Sequence, residues 1–414
     1  MAACNSGGES IESRGSQNPL VVYMHRSPSA GGSRLTFSPG ALAFLFIAFL
    51  TGCASALQVP TLSLFLSQSL GARPFLIGLF YTVNACAGIV ISQMLAHWSD
   101  HGGDRRRLIL LCCWAGLACC LLFAFDRHYW LLITLGVVLS SFGATANPQV
   151  FALAREHGAR GAHHAAWFNS LMRAQISLAW VLGPPLAFAL AVGYGFKTLY
   201  LVAGLSFVAC ALLVARALPE IAPVERSGSK SAGWNDPALR LPFVTSTLMW
   251  TCNGMYLIAM PLYLMRVLGL PAHVPGSLMG LAAGLEIPVM LVAGYHAQRF
   301  GILPMMRFAA VCAVLFYLGM SLLSNETALL WLQIANAGFI GIIAAIGMLY
   351  FQDLMPQRLG TATTLFTTST RSGTIIAGAL VGAIGEAWGY HAVFYAMLAC
   401  SVAACGCTFA LRAR

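Results

Sequence analysis

Apolar stretches of about 20 residues, the length that carries an α-helix across a ~30 Å hydrocarbon layer, recur from Leu42 to the C-terminal end with only short polar breaks. Twelve are read, at 38–66, 74–97, 107–126, 129–153, 167–190, 197–218, 241–268, 273–297, 306–324, 327–355, 362–387 and 390–411. The chain is 58% hydrophobic and 9% charged, against roughly a quarter charged in a soluble domain. A water-soluble globule is excluded, and the expectation is an all-α membrane protein with twelve transmembrane helices.

The formal charge of +10 raises the question of a nucleic-acid partner, which the placement of the basic residues answers. With a cytoplasmic N-terminus, seventeen of the 23 lysines and arginines fall on the cytoplasmic side, Arg105 to Arg107, Arg299, Arg307 and Arg358 among them. Arg73, Arg127, Lys197 and Arg266 fall opposite, and Arg173 and Arg371 lie inside spans. This positive-inside pattern puts both termini in the cytoplasm. It predicts a multi-pass protein of the inner membrane that meets lipid and no nucleic acid.

Residues 1–37, rich in Ser and Gly, read as a disordered cytoplasmic tail without a signal-type apolar core. The longest polar interruption falls after the sixth span, so residues 38–218 and 241–414 form two six-helix halves joined by a cytoplasmic linker, 219–240. The thirteen cysteines lie almost all in apolar spans and read as small core residues.

A repeat supports the division. The loop after the second span reads Ala96-His-Trp-Ser-Asp100-His-Gly-Gly103-Asp-Arg105-Arg-Arg107, and the loop after the eighth reads Gly294-Tyr-His-Ala-Gln298-Arg299-Phe-Gly301. Both resemble G-x-x-x-D-R-x-G-R-R, the loop signature of the major facilitator superfamily, with Ala96 replacing a glycine and Gln298 replacing the acid. An acid beside arginines at a helix end can hold and release helix ends by charge-assisted bonds. Asp100, Arg105 and Arg106 are therefore the expected gating loop, the alternative being a topology signal alone.

Further segments resemble the sugar efflux transporter family of that superfamily. They are Ala56-Leu-Gln-Val-Pro-Thr-Leu-Ser-Leu-Phe-Leu66, Gly78-Leu-Phe-Tyr-Thr-Val-Asn84, Met172-Arg-Ala-Gln-Ile-Ser-Leu-Ala-Trp180, Gly183-Pro-Pro-Leu, Met249-Trp-Thr-Cys-Asn253, Ala283-Gly-Leu-Glu286-Ile-Pro and Phe351-Gln-Asp-Leu-Met-Pro356. The resemblance implies the superfamily fold, a monomer, and export of sugars such as lactose, glucose or related glycosides and analogues, in exchange for protons. Drug export by the same fold and proton-coupled sugar uptake are the alternatives.

A charge in the bilayer core costs at least ~2.5–3.5 kcal/mol, so ionisable groups inside spans are functional candidates. Arg173, Glu286 and Arg371 are the three that stand out. Gly276, Gly280 and Gly284 repeat every four residues as a packing stripe, and at 100° per residue Glu286 points about 200° from Gly284. It is expected to face the central cavity and to bind sugar hydroxyls or exchange a proton. A bracing ion pair with Arg173 or Arg371 is the other reading.

Asn169, Arg173 and Ser177 share a helix face with Trp180 following, a donor set with an aromatic ring that suits a sugar. Thr364, Thr367, Thr368 and Arg371 share another, and threonines there often bond only their own backbone. Trp250 and Asn253 share a third, and Gln58, Asn84, Asn147 and Asn336 are uncharged amides within spans. Of the amides, Asn84 and Asn253 are favoured because they sit in the family segments. Gly183-Pro184 reads equally as an exporter motif or a plain kink.

No G-x-x-x-x-G-K-[ST], H-E-x-x-H or G-x-S-x-G occurs, and His163 and His164 lack acidic or thiol neighbours. Neither ATP-driven pumping nor an enzyme is expected, and no metal or other cofactor.

Overall fold

The structure, a computed structural model, describes residues 39–100, 104–158, 165–218, 237–356 and 358–411. The tail, most of the linker, and His163 and His164 lie outside the described residues, as do the side chains of Asp100, Asn169 and Gln298.

Among the described residues every regular element is helical. The order is α1 (Pro39–Gln58), a 3-10 turn (Val59–Thr61), α2 (Leu62–Gln68), α3 (Pro74–Asp100), α4 (Arg105–Phe125), α5 (Tyr129–Leu131), a π-turn (Leu132–Gly136), α6 (Val137–Gly158), α7 (Ala165–Gly193) and α8 (Gly195–Ala217). After the linker come α9 (Pro237–Leu262), a second π-turn (Tyr263–Val267), α10 (His273–Phe300), α11 (Ile302–Leu322), α12 (Glu326–Leu354) and α13 (Leu359–Ala410). Helices satisfy their own backbone, which the hydrocarbon layer demands.

Eleven helical stretches among the described residues are long and apolar enough to cross a membrane. The last is α13, whose 52 residues contain one non-helical position, Gly389, with φ 80° and ψ 173°. A straight helix of that length would run ~80 Å at 1.5 Å per residue. Only glycine adopts that φ without a clash, so α13 is two segments meeting at a corner. Gly301, with φ 79°, makes the comparable corner between α10 and α11. Polar caps set other starts: Asp104 accepts from Arg106 N at 2.9 Å to begin α4, and Asn325 accepts from Thr327 N at 3.0 Å to begin α12.

Large apolar side chains line the outside, among them Phe46, Trp130, Leu291 and Trp388. Such a belt is a liability in water and the natural surface in lipid. The chain is a multi-pass membrane protein.

α1 to α8 pack chiefly on one another, as do α9 to α13, and the two groups meet through α3 on α13, α7 on α10 and α2 on α9. One end of the bundle gathers Leu239, Leu303, Tyr350, Phe351 and Leu411 and carries Arg105, Arg106 and Arg307; it is called the basic end below. The opposite end carries Arg73, Arg127, His273 and Glu386.

The tightest contacts between the groups lie toward the opposite end. Gly78 of α3 packs on Gly378 and Gly382 of α13. A Cβ at Gly280 would stand 2.8 Å from the Val181 carbonyl oxygen of α7, and one at Gly276 3.0 Å from that of Pro184. At Gly284, one turn nearer the basic end, the nearest α7 atom is 4.0 Å away. The glycines of the stripe thus seat α10 on Val181, Pro184 and Pro185 of α7, while Gly183 packs on Ala56 of α1.

Candidate substrate site

A cavity of about 160 Å³ lies inside the first group, between α1, α3, α4, α6 and α8. The lining residues recur at helical spacing: Ser55 and Gln58 from α1, followed by Val59 of the 3-10 turn and Leu62 of α2, then Phe80, Asn84 and Gly88 from α3, and Gly116, Cys119 and Phe123 from α4. Ser140 and Ser141 of α6 and Tyr200 and Phe207 of α8 complete it.

The wall is a mosaic of polar groups and rings. Gln58 Nε2 donates to the Ala54 carbonyl at 2.8 Å, which anchors the amide on its own helix and leaves its oxygen available. Asn84 Oδ1 stands 2.9 Å from Ser140 Oγ, and that hydroxyl stands 2.9 Å from the Val137 carbonyl as well. One proton serves one acceptor at a time, so the pair can re-form around a ligand. Tyr200 is 1% exposed, and its hydroxyl has no hydrogen-bond partner.

Phe123 and Tyr200 meet with ring centroids 5.1 Å apart, and Phe80 meets Phe123 edge to face at 6.2 Å. Phe207 reaches in only because Gly116 and Gly143 have no side chain; a Cβ at Gly116 would stand 2.6 Å from its ring. Hydroxyls, amides and ring faces around a small space suit a neutral, hydroxyl-rich molecule with apolar C–H faces.

Gln58 and Asn84 are therefore brought together, and the other candidates stand apart from this cavity. Glu286 is partly buried on α10, and its main chain lies against α12, where a Cβ at Gly341 would come 3.3 Å from the Glu286 carbonyl oxygen. Among the described residues no ion pair joins Glu286 to Arg173 or Arg371. Arg173 is exposed, with its guanidinium 6.0 Å from the Phe151 ring centroid. Ser177 bonds the Arg173 carbonyl at 3.3 Å.

Arg371 Nη2 donates to Ser92 Oγ at 3.1 Å, a bond between the two groups. The threonines around it turn inward on their helix, Thr367 to the Thr363 carbonyl at 2.8 Å and Thr370 to that of Phe366 at 3.1 Å. Trp250 lines a separate pocket near the basic end with Thr245, Ser246 and Phe366, and Gly373 packs against its Cβ. Asn253, one turn on, is partly buried.

At the basic end Arg105 Nη1 donates to Gln149 Oε1 at 2.8 Å, tying α4 to α6, and Arg106 bonds the Ala215 carbonyl of α8. Both bonds lie within the first group.

Sequence reasoning missed Ser140 and Tyr200, which carry no motif, and the pair Arg73–Glu386, 3.7 Å apart at the opposite end. Glu386 Oε2 also accepts from Phe75 N at 3.2 Å, so one carboxylate binds α13 to the start of α3. An acid close to the end of the eleventh span and the only basic residue of the first outward loop were the available signal.

Residues 44–335 match the Major Facilitator Superfamily. The chain is 56% identical over 374 residues to Sugar efflux transporter A of Dickeya chrysanthemi, covering 89% of this chain and 95% of that one. It is 54% identical over 366 residues to Sugar efflux transporter A of Escherichia coli strain K12, covering 87% and 93%. The crystal structure of the nucleoside transporter NupG superposes with a TM-score of 0.76 at 15% identity, covering 90% of this chain and 98% of that one. A bacterial homolog of the human lysosomal transporter Spinster, inward-facing and occupied, gives 0.72 at 13%, covering 91% and 97%. At those identities the two structures speak for the fold alone. The helical order, the paired loop signatures and the match along nearly the whole chain place this protein in the sugar efflux transporter family of the major facilitator superfamily.

Proposed function

We propose that this protein exports sugars from the cytoplasm across the inner membrane by alternating access, in exchange for protons. The observation that carries the reading is the small cavity walled by Gln58, Asn84, Ser140 and the Tyr200 hydroxyl among aromatic rings, a surface matched to a sugar. Both relatives are named sugar efflux transporters.

Splitting α13 at Gly389 gives twelve spans in two six-helix halves, α1 to α8 and α9 to α13, joined by the linker. The positive-inside pattern makes the basic end cytoplasmic together with both termini. The tight glycine contacts toward the opposite end then fit a state closed to the outside, and the loop with Asp100, Arg105 and Arg106 is the gate at the other. Rocking of the halves would exchange these states. Glu286, the only acid in the interior of a span, is the proton carrier, with Asn253, Trp250, Asn169, Arg173 and Arg371 as further sugar contacts. No enzymatic step and no cofactor enter this scheme, and one copy of the chain suffices for it.

The test is efflux of radiolabelled lactose and a thiogalactoside from preloaded membrane vesicles with and without a pH gradient, comparing the intact chain with Glu286→Gln. Gradient-dependent sugar export that is lost in the variant is the expected outcome. No movement of either sugar overturns the sugar reading, and full gradient-dependent export by the variant removes Glu286 as carrier.

A further inference from the structure

On the outer side of the second helical group a groove of about 860 Å³ runs between α10, α11 and α12. Small residues alternate with large ones along it and leave a furrow. Ala293 of α10 and Ala335 and Gly338 of α12 line it beside Phe300, Phe308 and Trp331, the last three of them exposed. A Cβ at Gly338 would stand 3.1 Å from Cys312 Sγ, so α11 and α12 meet there. α10 and α11 both pack on α12 but touch one another only sparsely. The chain turns sharply between them at Gly301, with φ 79°, and the gap stays open.

The groove is long as well as apolar. Counted from the opposite end at 1.5 Å per residue, Trp331 lies roughly 8 Å along α12, Ile342 roughly 24 Å along the same helix and His296 roughly 35 Å along α10. The groove therefore follows most of a ~30 Å hydrocarbon layer and reaches the basic end at His296 and Phe300. Such a furrow suits an extended hydrocarbon chain and not a compact polar solute.

Its polar groups gather at the basic end. Arg299 is exposed and holds its guanidinium 5.8 Å from the centroid of the Phe300 ring. Phe300 in turn stacks on His296, with centroids 5.4 Å apart and 24° between the planes, and His296 Nδ1 stands 3.1 Å from the Val292 carbonyl. Among the described residues no carboxylate pairs with Arg299. The described part of this end of the second group holds Arg240, Arg299, Arg307 and Arg358 against one acid, Asp353, and Arg307 is engaged by the Leu411 carbonyl at 2.8 Å. An apolar furrow that ends at a guanidinium without a carboxylate complements a molecule with a hydrocarbon chain and an anionic head, and basic pockets between membrane helices bind anionic lipid headgroups.

We propose that this groove binds one anionic phospholipid of the leaflet at the basic end, with the phosphate against Arg299 beside His296 and one acyl chain lying along the furrow past Cys312 and Gly338. Phe300 serves both parts, because its ring lines the groove and its face steadies the guanidinium. A zwitterionic lipid brings its own cation to Arg299 and binds more weakly. The site stands in the second helical group, apart from the sugar cavity in the first, and does not depend on the export reading.

The test is photolabelling of the full chain in liposomes of a zwitterionic host lipid. Two probes carry a diazirine at the end of one acyl chain, one a phosphatidylglycerol and the other a phosphatidylcholine, and mass spectrometry of peptides locates the label. On the intact chain the phosphatidylglycerol probe is expected to label the stretches around Cys312 and Ala335 about fivefold more than the phosphatidylcholine probe, the preference that one cation at a membrane surface gives. Both probes should label Leu205, on the exposed face of α8, alike. Arg299→Gln should bring the two probes to near equality at the groove, and Arg299→Lys should keep the preference. Ala335→Trp should fill the furrow and lower labelling at Cys312 by either probe with Leu205 unaffected. Equal labelling of the groove by both probes on the intact chain, a preference unchanged in Arg299→Gln, or a preference as high at Leu205 overturns the proposal. So does an unlabelled groove in a chain that light scattering shows to be a dimer, which would give this face to a second copy. If Ala335→Trp fails to fold, the intact chain and the Arg299 variants decide the matter alone.

Discussion

Ser92 Oγ accepts from Arg371 Nη2 at 3.1 Å and stands 3.1 Å from the Ile89 carbonyl, so one hydroxyl receives a cation from α13 and gives its own proton to α3. The bond couples the two helical groups at mid-depth. Ser92→Ala is expected to destabilise the protein by about 1.5–3 kcal/mol, the range for a hydrogen bond to a charged group, read as a lowered midpoint of thermal unfolding in detergent. A midpoint unchanged from the intact chain would mean that Arg371 finds another partner at no cost.

Gly78 and Gly382 let α3 and α13 touch backbone to backbone. Gly78→Val forces side-chain atoms into the carbonyl of Gly378 and the main chain of Gly382, so the opposite end should no longer close. A cysteine placed at Ala72, which is 7% exposed, should become reactive to an impermeant maleimide in that variant, and sugar efflux should fall. Continued protection of the thiol would show that closure does not depend on this contact.

Asn84 is the polar group of α3 in the cavity wall. Asn84→Leu removes both its donor and its acceptor there, while Ser140 keeps the Val137 carbonyl 2.9 Å away and the local fold is spared. Loss of hydrogen bonds to a sugar hydroxyl costs ~1–3 kcal/mol, which should appear as a rise in the half-saturating lactose concentration of roughly tenfold or more. Gln58→Leu should do the same, and both variants should retain the intact chain's melting midpoint.

Arg73 and Glu386 are an exposed pair, with side chains 74% and 36% exposed. Exposed pairs contribute about 0–1 kcal/mol, so Glu386→Gln should leave stability nearly unchanged. Its effect should fall on the balance between states: export by Glu386→Arg should be impaired and recover in the double exchange with Arg73→Glu. Failure of the double variant to recover would assign the Glu386 role to its bond with Phe75 N.

That the chain is helical and crosses a membrane many times was legible in the sequence, because crossing a bilayer imposes a length and an apolarity that few other segments share. The loop signatures and family segments identified the family for the same reason: they are local strings. The break at Gly389 was legible too, as the boundary between spans ending at 387 and starting at 390. Tertiary structure alone decided which polar residues meet. Gln58 and Asn84 read like any other amides in spans, and only the packing of five helices puts them on one cavity beside Ser140 and Tyr200. Arg371 and Ser92 lie 279 positions apart and meet at 3.1 Å, and no periodicity along one helix reports what stands on another. A membrane helix must be apolar over its whole length to insert, so its sequence states that it spans; what it faces is set by the neighbours it packs against after insertion.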